Sequence, residues 1–258
     1  MKRASSRDCI GGCARLTRVA QLFAGTSGFA YTSWKPNFYP AKLASAKFLP
    51  HYASRLNCVE VNYTFRTLPS VSTLTKWVAT TPEGFLFCPK AHMRITHILK
   101  LREAAQFTEV FLKVIDPLRS ARRIGPILFQ LPPTLKCDEP LLKDYLAILP
   151  PDLKYAFEFR HASWLNDNVY TALQKHNAAL CVAESEKLET PEVLTANFVY
   201  FRLRKPDYTP EDILGIAENA KQLLAGGRDL YVFFKHEETP DGALNAESLL
   251  HCVNNPNG

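Results

Sequence analysis

The sequence predicts one α/β domain of the (β/α)8, TIM-type barrel class with parallel strands, and three observations carry that prediction. Eight short apolar runs recur along the chain, segments of helical periodicity lie between them, and no shift in composition divides the chain. The runs occupy residues 22–26, 58–62, 85–90, 126–131, 155–160, 179–184, 198–203 and 230–235. Each is a continuous block of aliphatic or aromatic residues that ends in polar ones. Such blocks suit parallel strands covered on both faces, because a strand with one wet face would alternate. Eight strand–helix units are the number that closes a parallel ring, and 258 residues at 47% apolar content suffice for one large core.

The intervening segments carry helix signals. Phe48, Leu49, Tyr52 and Leu56 form one apolar stripe, with Pro50 confined to the first helical turn, where its missing N–H costs nothing. Val71, Leu74, Trp77 and Val78 form another behind Ser70, a good N-cap. Asp138 with Pro140 starts a third helix, and Asn166 or Asp167 caps one that runs towards His176. Thr209, Pro210, Glu211 and Asp212 combine a capping hydroxyl, proline at the first position and acids at the positive end of the dipole. Ile213, Ala217, Ala220 and Leu224 then supply a buried face, and Gly226-Gly227 end it. The rival architecture, an open doubly wound sheet, lacks its fingerprint: Gly25-Thr26-Ser27-Gly28 leads into an aromatic loop instead of a helix.

Of the formal charge of +6, Lys2, Arg3, Arg7, Arg15 and Arg18 against Asp8 place +4 before residue 20, leaving +2 for the body. Residues 1–20 are expected to be a disordered basic tail or an overextended start, and residues 21–254 the single barrel domain. Gly11, Gly12, Arg15 and Arg18 interrupt any secretory core, and no long apolar run follows, which argues against export and membrane spanning. Seven cysteines, an odd number without paired short spacings, read as reduced thiols and not as a zinc site. A cytoplasmic protein is expected.

In such a barrel the strands' carboxyl ends converge on one mouth, so the polar residues there are the candidates for function. They include Glu60, Asn62, Lys90, Gln130, Glu158, Arg160, Arg202, Arg204 and His236. Glu158 and Arg160 lie two apart, hence on one strand face, with Phe157 and Phe159 on the other. A carboxylate on the inner face needs a cationic neighbour, for which Arg160, Arg202 and Lys90 are available. Arginine forks suit a carboxylate or phosphate, and Glu158 or Glu60 beside a lysine can be tuned for proton transfer. The alternative is a ring of ion pairs that satisfies the interior without chemistry. Tyr31 and Trp34 in the first loop either stack on a sugar ring or base, or plug the loop onto the barrel. No motif implies a cofactor; a divalent metal on Glu60, Glu158, His92, His97 and His236 is the weaker option, because these ligands come from scattered loops.

The chain resembles the YecE-like family, also known as domain-of-unknown-function family seventy-two and related in name to sugar isomerases. The resemblance rests on Gly25-Thr26-Ser27-Gly28-Phe29, Val59-Glu60-Val61-Asn62-Tyr63-Thr64-Phe65, Phe87-Cys88-Pro89-Lys90 with Ile95-Thr96-His97, and Leu128-Phe129-Gln130-Leu131-Pro132-Pro133. Glu158-Phe159-Arg160-His161, Tyr200-Phe201-Arg202-Leu203 and Phe234-Lys235-His236-Glu237 continue it, the last departing from a form with asparagines after the strand. The resemblance implies a TIM-type barrel and no established reaction. Its polar members are Glu60, Asn62, Lys90, His97, Gln130, Glu158, Arg160 and Arg202. The resulting expectation is an enzyme for a small anionic or sugar-like molecule, a hydrolase or isomerase. Glu158 and Glu60 would be its acid/base groups, and Lys90, Arg160, Arg202, Asn62, Gln130, Tyr31, Trp34, His97 and His236 would hold the substrate. The alternative is a non-catalytic binder of nucleic acid or another phosphate ligand. Neither reading specifies an oligomeric state.

Overall fold

All eight apolar runs form strands, because their β-branched and aromatic side chains pack on both faces of a pleated surface. The computed structural model describes residues 19–185, 187–235 and 238–255. The strands are β1 Leu22–Thr26, β2 Cys58–Val61, β3 Leu86–Pro89, β4 Ile127–Gln130, β5 Tyr155–Glu158, β6 Ala179–Ala183, β7 Phe198–Leu203 and β8 Asp229–Phe234. All pairings are parallel. Six strands form one sheet in the order β1-β8-β7-β6-β5-β4, curled into half a barrel, and β2 and β3 pair separately.

The two sheets meet through isolated bridges, Ser27 with Glu60 on one side, Phe87 with Ile124 and Lys90 with Leu128 on the other. The uninterrupted eight-stranded ring predicted from the sequence is therefore present in part. At the first seam side chains replace the ladder. The Tyr52 hydroxyl accepts from the Thr26 amide at 2.8 Å and donates to the Cys58 carbonyl at 3.0 Å. The Asn57 amide accepts from Ala24 N at 2.9 Å and donates to Leu22 O at 2.8 Å. Backbone pairing resumes only at the carboxyl end, where Gly28 N donates to Glu60 O at 2.9 Å. The approach is close enough that a Cβ on Gly25 would collide with the Cys58 carbonyl.

The helices are α1 Phe48–Ala53, α2 Tyr63–Arg66, α3 Val71–Ala79, α4 Ala105–Val114, α5 Asp116–Ser120, α6 Glu139–Ala147, α7 Asp167–Lys175, α8 Pro210–Ala225 and α9 Asp241–Asn254. Ser70, Asp138 and Asn166 cap α3, α6 and α7 with their side chains, which decides between Asn166 and Asp167. Thr209 and Asp212 form a reciprocal capping box on α8, whose buried face uses Leu223 where the sequence pattern pointed to Leu224. The expected alternation fails between β6 and β7: residues 184–197 hold no helix among those described. Glu189, Glu192 and Pro191 interrupt any apolar stripe there, so no amphipathic face forms.

Each of the eight strands contributes to one buried cluster: Phe23, Cys58, Cys88, Leu128, Ala156, Ala179, Tyr200 and Tyr231 are among its members. The alternate residues Phe129 and Phe157 belong to a second cluster with Leu142 and Leu173 of the helices. The first set thus marks the inner face of the curled sheets and the second the outer face. Small Cys and Ala alternate there with large Tyr and Phe, as filling a tapering interior requires.

A candidate anion-binding site at the carboxyl ends of the strands

Strand periodicity carries the inner face upward from its apolar layer. Two residues beyond Cys58, Cys88, Leu128, Ala156 and Tyr200 stand Glu60, Lys90, Gln130, Glu158 and Arg202, so all five rise on the same side. All five are buried, and they form a continuous network. Arg202 lies at its centre, donating to Glu60 Oε1 at 2.8 Å through one terminal nitrogen and to Glu158 Oε2 through the other. Glu60 also accepts from Ser27 Oγ at 2.7 Å and from the Tyr200 hydroxyl at 2.8 Å. Glu158 accepts from Gln130 Nε2 at 2.7 Å, Arg204 at 3.0 Å and Arg160 Nε at 3.1 Å. Gln130 Oε1 in turn accepts from Lys90 Nζ at 2.9 Å.

Among the side chains that pair with one another here, two carboxylates face four cations, Lys90, Arg160, Arg202 and Arg204, a net of +2, with the Glu184 carboxylate beside them on the Arg204 and Lys205 backbone amides. Burial by itself would raise the carboxyl pKa values, but the cations outweigh it. Arg202, Arg204 and Arg160 hold Glu158 far below the ordinary carboxylate range. Arg202, the Ser27 hydroxyl and Lys90 lower Glu60 likewise. Burial and the nearby Glu60 push the Tyr200 phenol well up, so it remains a donor. Burial and Arg202 push the Lys90 ammonium down to about 8. His97 is lowered by burial and by Lys90, and its Nδ1 lies 2.9 Å from Thr96 Oγ1.

The next layer opens towards solvent. Arg160 stands two residues beyond Glu158 and Arg204 two beyond Arg202, with side chains 34% and 19% exposed. The terminal guanidinium nitrogens of Arg160 have no partner among the described residues. Nε of Arg202 and of Arg204 and Oδ1 of Asn62 are likewise buried without one. A cavity of about 230 Å³ reaches Glu158, Arg160 and Arg204, and its far wall is Ser185, Lys187 and Thr190. That wall belongs to the helix-free connection between β6 and β7.

The sequence-predicted residues divide into three groups. Glu60, Lys90, Gln130, Glu158, Arg160 and Arg202 come together as expected. His97 and Asn62 flank them, His97 with its ring against Phe65 and Asn62 with a long 3.4 Å contact to Ser27 O. His236 lies outside the described residues. Trp34 needs correction: it is fully buried among Phe38 and Tyr39 and presents no face to a ligand, so the first loop is the apolar plug. Tyr31 joins that packing, its hydroxyl donating to Ser27 O at 3.0 Å. Glu60 and Glu158, expected as acid/base groups, are instead held as anions by the arginines around them.

Sequence reasoning passed over Ser27 and Tyr200. The signal for Tyr200 was available: it lies two residues before Arg202, on the same face of the same run. Among the described residues, no group of three or more His, Cys, Asp or Glu side chains is placed to hold a metal ion. No described helix is long and apolar enough to cross a membrane.

Comparison with known proteins places this architecture. The chain is similar to UPF0759 protein YunF of Bacillus subtilis (strain 168), 24% identical over 265 residues that cover 86% of this chain and 93% of that protein. The crystal structure of a DUF72 family protein from Thermotoga maritima MSB8 is 27% identical, covers 91% of this chain and 99% of its own, and superposes with a TM-score of 0.79. A xylose isomerase-like TIM barrel/4-hydroxyphenylpyruvate dioxygenase fusion protein shares the fold at 14% identity and a TM-score of 0.50, over 91% of this chain and 43% of its own. The family model described as "Protein of unknown function DUF72" matches residues 23–257, from the first strand through the whole polar layer. The chain therefore belongs to the DUF72 family, of which YecE-like is another name.

Proposed function

We propose that the carboxyl-end mouth of the strands binds a small anionic, sugar-like molecule and acts on it as an enzyme. The single observation that carries the reading is a cation-rich network whose outermost member, Arg160, bonds Glu158 through Nε and lines an open cavity. Guanidinium donors in such a place match a phosphate or carboxylate in charge and geometry. The inner layer favours function over packing. A buried ion cluster is often no more stabilising than apolar residues of the same volume, and such residues fill the layer directly beneath.

In this reading Glu60 and Glu158 are the anchor that fixes three arginines, and Lys90 with His97 holds the protons. Burial and Arg202 lower the lysine to about 8, and burial with Lys90 lowers the imidazole too, which favours the proton-accepting form of each. The reading takes the two sheets as one closed (β/α)8 barrel, supported by the bridges at both seams and the inner cluster drawn from every strand. A cytoplasmic setting suits the free thiols of Cys58, Cys88, Cys137, Cys181 and Cys252. For a nucleic-acid ligand Trp34 is buried and not available for stacking, whereas Tyr63 is exposed, so salt dependence is what separates that reading from a small anion.

Isothermal titration of a panel of sugar phosphates, sugar acids and neutral sugars tests the reading. Anionic members should bind and neutral ones should not, with Arg160→Ala weakening binding about tenfold or more, the loss of one charged hydrogen bond. The salt dependence should be shallow; a steep fall for an oligonucleotide, with no small anion bound, would replace this reading with the nucleic-acid one.

A further inference from the structure

The inner network contains one amine among its cations, and its surroundings differ from those of the arginines. Lys90 Nζ has Gln130 Oε1 at 2.9 Å as its hydrogen-bond partner and, among the described residues, no carboxylate within ion-pair distance. Both nearby carboxylates are already engaged by arginines, so no direct ion pair locks this amine as an ammonium. Its stem is buried, and its nitrogen sits 4.1 Å from the centre of the Phe65 ring, whose edge also meets His97. Gln130 fixes the amine from the other side, since its own amide nitrogen is tied to Glu158 at 2.7 Å. The amine is thus oriented and walled by an aromatic ring. Through Gln130 and Glu158 it is linked to the arginines that border the cavity.

We propose that Lys90 forms a Schiff base with an aldehyde or ketone that carries a phosphate or carboxylate group, the anion resting on Arg160 and Arg204. The proposal rests on the anion-binding reading above and adds the carbonyl and the nucleophile. The neutral amine attacks the carbonyl carbon, forming the C–N bond while the C=O π pair becomes an alkoxide. The alkoxide takes a proton and the nitrogen loses one, giving a carbinolamine. Its C–O bond then breaks, hydroxide leaves as water on taking a proton, and the protonated imine remains. No electrons are gained or lost overall. His97, a half-buried imidazole whose pKa is lowered by burial and Lys90, lies beside the same Phe65 ring and is the nearby group suited to carry those protons. The depressed lysine pKa of about 8 leaves a useful neutral fraction at physiological pH.

The test is reductive trapping on the full chain. The protein is incubated with dihydroxyacetone phosphate, reduced with sodium cyanoborohydride, digested and mapped by peptide mass spectrometry, with calorimetric binding of the same compound measured in parallel. The expected result is one dominant reduced adduct, on Lys90. It should be lost in Lys90→Arg, reduced about tenfold in Arg160→Ala at subsaturating probe, and suppressed by inorganic phosphate. Because the position is read in the wild type, a poorly folded Lys90→Arg variant does not remove the test. Binding without an adduct on Lys90 overturns the Schiff base and leaves the anion site standing, as does label shared evenly with Lys187, Lys235 and surface lysines. Absence of both binding and adduct overturns the anion reading and this step with it.

Discussion

Glu158 accepts four hydrogen bonds, from Gln130, Arg160, Arg202 and Arg204, while almost wholly buried. Removing its charge leaves three guanidiniums in a low-dielectric layer with Glu60 as the remaining counter-charge. Glu158→Gln should therefore lower unfolding free energy by about 3 kcal/mol or more, read from urea denaturation at neutral pH. The pH dependence has a definite sign. Glu60 and Glu158 have folded pKa values below their ordinary value of 4.5, so their stabilising contribution is fully present above that pH. It is lost as the pH falls through the folded values. The wild type should lose stability progressively below about pH 4.5, and Glu158→Gln should show a shallower acid slope. Equal slopes would mean that the carboxylate is not held as an anion. Glu60, Glu158, Lys90 and Arg202 were legible in the sequence because polar residues end apolar runs with period two. Tyr200 carried the same period-two signal, two residues before Arg202, and was passed over because a tyrosine inside an apolar run looks like core packing. Trp34 was misplaced because its position in a loop says nothing about which way the indole turns.

The strand positions follow from burial on both faces, a property of each run by itself, so their bounds came out within one or two residues. The seams between the two sheets were not legible in this way. They depend on Gly25 letting β1 approach Cys58 and on Tyr52 and Asn57 taking the place of ladder bonds, relations between distant segments that no local pattern carries. The missing helix between β6 and β7 was overread for the opposite reason: the expectation of eight repeating units was extended over residues 184–197, which have no apolar stripe. The seam can be tested directly. Tyr52→Phe keeps the ring but leaves the Thr26 amide and the Cys58 carbonyl without their partner. It should cost about 2 kcal/mol or more in stability and accelerate amide exchange in residues 22–28, which hydrogen-exchange mass spectrometry would detect. Unchanged exchange there would show that backbone pairing, not Tyr52, joins the sheets.

At the scale of the molecule, alternating inner residues build an apolar layer, a buried ionic layer above it and a half-open cationic layer above that. Arg160 and Arg204 border a cavity at that opening, facing the helix-free connection between β6 and β7. This stacking was readable as a charged mouth, but its net sign was not, because the pairing of each carboxylate had to be seen. The most direct measurement is a crystal structure of the full chain grown with inorganic phosphate. The account predicts one phosphate within hydrogen-bond distance of both Arg160 and Arg204, above Glu158. A mouth filled by water alone, with phosphate bound only at other surfaces, would contradict it.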